Sequence, residues 1–135
     1  MALHTTLPIH KAGYDLYGVI VDMVRNLPRS VKRKLGDRME DRSMELLLLV
    51  GRANAADNKV PFIEELLEQL QAIELMLRTC LDKRFISRGQ WARAIEITDS
   101  IGKQAGGWRK QSARAASTPP PMSDQPSLFA ASPAA

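Results

Sequence analysis

One cysteine, Cys80, set in an apolar run, leaves this 135-residue chain no internal disulfide and no multi-cysteine metal site. A small buried hydrophobe is the expected role of that thiol, and a reducing cytoplasm its expected surroundings. Histidine is nearly as scarce. His4 and His10 both stand in the N-terminal lead, and neither is spaced from a carboxylate or cysteine as a zinc site or a triad requires. No arginine precedes either one, which excludes the helical ribonucleases that use an Arg followed a few residues later by His. A bundle-type iron site would need Glu-x-x-His, which cannot be formed, so Glu64 with Glu68 and Asp37 with Asp41 read as solvated helix faces. Gly102, Gly106 and Gly107 follow no strand and precede no Lys-Ser or Lys-Thr, so they make no phosphate loop. No catalytic residue, metal or cofactor is expected.

Aromatic residues are only 5% of a chain that is 44% hydrophobic, a balance that suits helix-on-helix packing better than a sheet. The longest unbroken apolar run, Leu46 to Val50, is far too short to span a bilayer. The opening MALHTTLPIH lacks the charged start and apolar stretch of a signal peptide, so a cytoplasmic protein without a membrane partner is expected.

Four segments carry helical periodicity, separated by helix stop and start signals. The first covers about 10–26, with Tyr14, Tyr17, Val21 and Val24 at spacings of three and four and Leu16 and Ile20 beside them, until Asn26 and Pro28 interrupt it. The second, about 30–55, has a stripe of Leu35, Met39, Leu46, Leu47, Val50 and Ala53. The turn AADNKVP leads into a third at 61–83, where Pro61 suits the first helical position and Phe62, Leu66, Leu70, Ile73, Leu77 and Leu81 repeat. Ser87 and Gln90 form a capping box that opens a fourth helix, 87–110, with Trp91, Ile95, Thr98, Ile101, Ala105 and Trp108 facing inward. Its glycines permit close backbone approach on this reading. Short connections make successive helices antiparallel neighbours, so an all-α, up-down-up-down four-helix bundle is expected over 10–111. Residues 1–9 form a lead, and the Pro-, Ser- and Ala-rich stretch 112–135 reads as a disordered tail.

The net charge of +4 and a pI near 9.5 lean toward an anionic partner. The distribution says more. Residues 25–42 hold seven basic and three acidic groups, and residues 78–114 nine and three, whereas 43–77 hold two and six. In the expected topology the first and third connections share one end of the bundle. Arg25, Arg29, Lys32, Arg33, Lys34 and Arg38 then meet Lys83, Arg84 and Arg88, while Asp57, Glu64, Glu65 and Glu68 crowd toward the other end. These nine basic residues are the candidate nucleic-acid-binding groups, because a basic pole neutralises several phosphates at once and releases their counterions. The shortage of surface aromatics argues against base stacking as the main mode.

Two stretches carry a family likeness. NLPRSVKRKLGDRM, Asn26 to Met39, and IGKQAGGWRK, Ile101 to Lys110, resemble the four-helix bundle proteins that include the accessory variability determinant of diversity-generating retroelements. The matching positions are Leu27, Pro28, Ser30, Leu35, Gly36 and Arg38, then Gly102, Gly107 and Trp108. The resemblance spans about residues 10–110 and implies a barrel-shaped homopentamer that binds the retroelement reverse transcriptase and its template RNA or cDNA, supporting mutagenic cDNA synthesis. By that analogy Trp108 and its glycines are structural. The same superfamily holds proteins encoded in intervening sequences of bacterial 23S ribosomal RNA genes, so a general RNA-associated bundle without a retroelement partner is the alternative. In the tail, QPSLF resembles the short peptide by which bacterial proteins dock on the replicative sliding clamp, with Gln125 as hydrogen-bonding group and Leu128 and Phe129 for an apolar pocket.

Overall fold

The structure is a computed structural model that describes residues 7–117. Four helices follow one another: α1 over Pro8–Arg25, α2 as a first turn Arg29–Val31, a π-helical stretch Lys32–Gly36 and a body Asp37–Ala55, α3 over Val60–Asp82, and α4 over Arg88–Ser117. They close into a ring in which α1 packs on α2 and α4, and α3 packs on α2 and α4. The expected all-α bundle of four packed helices is what forms.

The start and stop signals act locally as their chemistry requires. Pro8 stands in the first turn of α1, and Pro61 in that of α3, where a missing N–H is no loss. Pro8 thus starts α1 two residues earlier than periodicity alone indicates. At α4 the capping box is complete: Gln90 N donates to Ser87 Oγ at 3.1 Å and Ser87 N to Gln90 Oε1 at 2.8 Å. At the end of α2, Lys59 Nζ donates to the carbonyls of Ala53, Asn54 and Ala56 at 3.1, 2.9 and 2.9 Å. A cation there satisfies orphan carbonyls and the negative end of the helix dipole together.

The core is aliphatic. Leu16 and Ile20 of α1, Met39, Leu46 and Leu49 of α2, Ile63, Leu66, Ile73 and Leu77 of α3, and Ile101 of α4 are fully buried. Each such side chain contributes about 1.5–3 kcal/mol of transfer free energy. Two buried hydroxyls are satisfied within their own helices: Ser43 Oγ donates to the Met39 and Glu40 carbonyls, and Thr98 Oγ1 to that of Ile95.

Three expectations are corrected. In α1 the buried face is Ile9, Gly13, Leu16, Ile20, Met23 and Val24, while Tyr14 is 64% exposed. Both sets have helical spacing, and the aliphatic one wins because it fits the core without stranding a phenol. Gly106 and Gly107 serve no close approach inside the bundle, since a Cβ built on either meets nothing within 4 Å. Finally, α4 runs past Lys110 to Ser117, so the first residues assigned to a disordered tail are helical. The alanines of QSARAAS favour this extension. The rest of the tail, QPSLF included, lies outside the described residues.

Candidate nucleic-acid interface

The two basic segments come to one end of the bundle. Asn26, after α1, and Gln90 and Arg93, at the start of α4, line one small cleft, and Leu27 and Ile86 from the two connections enter the same core. All nine candidates, Arg25, Arg29, Lys32, Arg33, Lys34, Arg38, Lys83, Arg84 and Arg88, are exposed. Arg25 has a neighbour, Asp22 Oδ1, at 3.6 Å. The other eight pair with no carboxylate among the described residues, nor do Arg93 and Lys110, whereas Lys11, Arg52, Lys103 and Arg109, away from this end, each hold one. Unpaired cations on one pole keep their full field for an outside anion.

Local backbone structure sets how the first cluster is displayed. The π-helical stretch Lys32–Gly36 is closed by Asp37 N donating to the Lys32 carbonyl. It puts one more residue into the turn than an α-helix would, and Lys32, Arg33 and Lys34 are all left in solvent while Leu35 packs on the core. Gly36 is buried at the end of this stretch, and a Cβ there would fall 2.7 Å from Val24 Cγ1. The backbones of α1 and α2 therefore meet closely just where the cations begin.

The second cluster is displayed by a Schellman cap on α3. Phe85 N donates to the Cys80 carbonyl at 2.8 Å and Arg84 N to that of Leu81 at 3.0 Å. This geometry puts Arg84 at the residue that follows the cap, with φ of 61°. Glycine adopts that left-handed conformation freely, but a residue with a Cβ does so at a cost of about 1–2 kcal/mol. Sequence reasoning counts Arg84 among the cations and misses its backbone, because no Gly or Asn marks the position.

Beneath this cap, Arg78, Asp82, Arg84, Ile86, Arg88 and Trp91 line a cleft of about 790 Å³. Arg78 Nε holds both Asp82 carboxylate oxygens, at 3.1 and 3.3 Å, so the Asp82 charge is already committed. Trp91 is half-buried, and its indole Nε1 is buried with no hydrogen-bond partner among the described residues.

The opposite end is mixed rather than acidic. Glu64 accepts from Arg109 Nε at 3.0 Å and Nη2 at 2.6 Å, and Lys59 lies beside Asp57 in the cleft that the last turns of α4 help to line. Arg109, within the expected span of α4, and Lys59, in the connection between α2 and α3, thus stand among the acids of this end.

Cys80 is fully buried, with Sγ 3.8 Å from Met39 Sδ, and burial pushes its thiol above the ordinary value. A neutral, enclosed thiol is a poor nucleophile. Among the described residues no group of His, Cys, Asp and Glu has the arrangement of a metal site, and no helix is long and apolar enough to cross a membrane.

Residues 7–112 match a protein-family model described as bAvd-like. The match covers most of the chain, which therefore belongs to the bAvd-like family, the bacterial accessory variability determinants. No curated protein matches the chain.

Proposed function

We propose, from this family membership, that the chain is a noncatalytic accessory subunit of a diversity-generating retroelement. It binds the element's reverse transcriptase and the template RNA or cDNA through its basic pole, and so supports mutagenic cDNA synthesis. The observation that carries the nucleic-acid part is the pole itself: eight exposed cations at the start of α2 and around the α3–α4 connection, none paired with a carboxylate among the described residues. Sequence-independent phosphate contact suits an accessory factor that follows a template of varying sequence.

The chain acts as a closed homo-oligomer, five copies in the family's barrel, with a summed charge of roughly +20 that suits a nucleic-acid platform. Tyr14 on α1, Met44 and Leu48 on α2 and Leu75 on α3 are large apolar groups left exposed by the single chain, and assembly or polymerase contact would cover them. The test is reconstitution with a diversity-generating retroelement's reverse transcriptase and its template RNA. Co-elution of all three and a gain in cDNA yield on adding the chain are expected. A chain that elutes alone and leaves cDNA synthesis unchanged would refute the reading.

A further inference from the structure

The cleft under the α3 cap has a composition unlike the rest of the pole. Its apolar wall is Leu81, Ile86 and Trp91, and its two uncommitted charges are the guanidiniums of Arg84 and Arg88. A cleft of about 790 Å³ is far larger than one phosphate or carboxylate needs, and lies in the range of sites that enclose small organic molecules. An acidic peptide side chain would satisfy the guanidiniums and leave the apolar wall empty. A nucleotide fills both parts: forked N–H groups suit phosphate oxygens, and a base lies against apolar and aromatic surface.

The backbone of Arg84 adds a second, independent observation. Position 84 is left-handed, with φ of 61°, so glycine would be the relaxed residue there and arginine holds the turn under strain. Arg84 therefore lines the cleft from a backbone conformation that its side chain disfavours.

We infer that this cleft takes up one unpaired nucleotide of the bound strand, with its phosphate between Arg84 and Arg88 and its base against Ile86 and Trp91. The inference rests on the nucleic-acid reading of the pole and adds a distinction to it. Paired segments contact exposed lysines and arginines through phosphates alone, while a bulged or terminal nucleotide enters the cleft.

Arg84→Gly separates function from folding, because it removes the guanidinium and relieves the turn. The full chain and this variant are titrated, by fluorescence anisotropy, with a labelled RNA duplex carrying a one-nucleotide bulge and with the same duplex fully paired. Unlabelled uridine monophosphate and polyglutamate serve as competitors. Arg84→Gly is expected to raise the melting temperature by about 4 °C or more. It should weaken the bulged RNA about tenfold more than the paired RNA, which loses only the phosphate contact of one cation of the pole. Arg84→Lys, which keeps the charge and loses the fork, should fall between. Equal weakening of both RNAs would overturn the cleft while leaving the basic pole intact. Competition by the mononucleotide at the same concentration as a bulged strand would show a free-nucleotide site instead, and displacement by polyglutamate at that concentration would show an acidic-peptide site. Failure of the unaltered chain to bind either RNA would overturn the reading of the pole itself.

Discussion

A Cβ at Gly36 would stand 2.7 Å from Val24 Cγ1, a distance that real side chains do not tolerate. Val24 is buried and β-branched, so it has little rotamer freedom with which to move away. Gly36→Ala is therefore expected to destabilise the bundle by about 1–3 kcal/mol, even though alanine is the better helix former. Adding Val24→Ala removes the clash, so the two changes should be less than additive in urea denaturation. Full additivity would show that this pair does not limit the approach of α1 to α2.

Gly107 gives the opposite expectation. With nothing within 4 Å of its built Cβ, Gly107→Ala, alone or with Gly106→Ala, should stabilise α4 by roughly 0.5–1 kcal/mol per site. Thermal unfolding followed by circular dichroism measures this. A lower melting temperature would mean that these glycines face another chain in the assembly, which light scattering on the same variant would register as a change of oligomer size.

Cys80 supplies a pH dependence whose sign follows from burial. Its folded-state pKa is raised, because desolvation disfavours the thiolate. The stability tied to the neutral thiol is fully present below the unfolded-state value of about 8.5, and is lost as pH rises through the folded-state value. Urea denaturation at neutral pH and on the alkaline side, for the chain and for Cys80→Ala, isolates the contribution. The unaltered chain should lose more stability with rising pH than the variant does, and equal losses would show that the thiol ionises freely in the fold.

How much of this was legible in the residues depends on whether the cause is local. α3 could be read from Leu66, Leu70, Ile73 and Leu77 at helical spacing behind Pro61, and the α4 start from Ser87 and Gln90, since caps and stripes are properties of neighbouring residues. The candidate cations could be placed at one end from connection order alone. Phase in α1 could not, because the Tyr14 stripe and the Leu16 stripe have equal periodicity and only the partner helices choose between them. The π-helical stretch depends on the packing of Gly36 against Val24, which is tertiary. The left-handed Arg84 gave no compositional sign, and so the cleft that Arg84, Arg88 and Trp91 line was not visible in the sequence.

The basic pole makes the most direct claim on function. Replacing Arg29, Lys32, Arg33 and Lys34 by glutamine removes four exposed cations, none of which pairs with a carboxylate among the described residues, so folding should be little affected. Nucleic-acid binding should weaken strongly, because a phosphate that is no longer neutralised by the protein keeps its counterions. The slope of log affinity against log salt should shrink by about 0.7–0.9 for each phosphate released in this way. The control removes the same charge at Lys11, Arg52, Lys103 and Lys110, of which Lys11, Arg52 and Lys103 are committed to Asp15, Glu45 and Asp99. Exposed pairs of that kind contribute little to stability, so the control should fold as well as the test variant. Helicity and oligomer size are checked in both, which separates an effect on the interface from one on assembly. A general effect of net charge would weaken both variants equally and leave their salt slopes alike, whereas phosphate binding at the pole weakens the first far more and lowers its slope alone. Equal binding by the first variant and the unaltered chain, with the same slope, would remove these four residues from the interface.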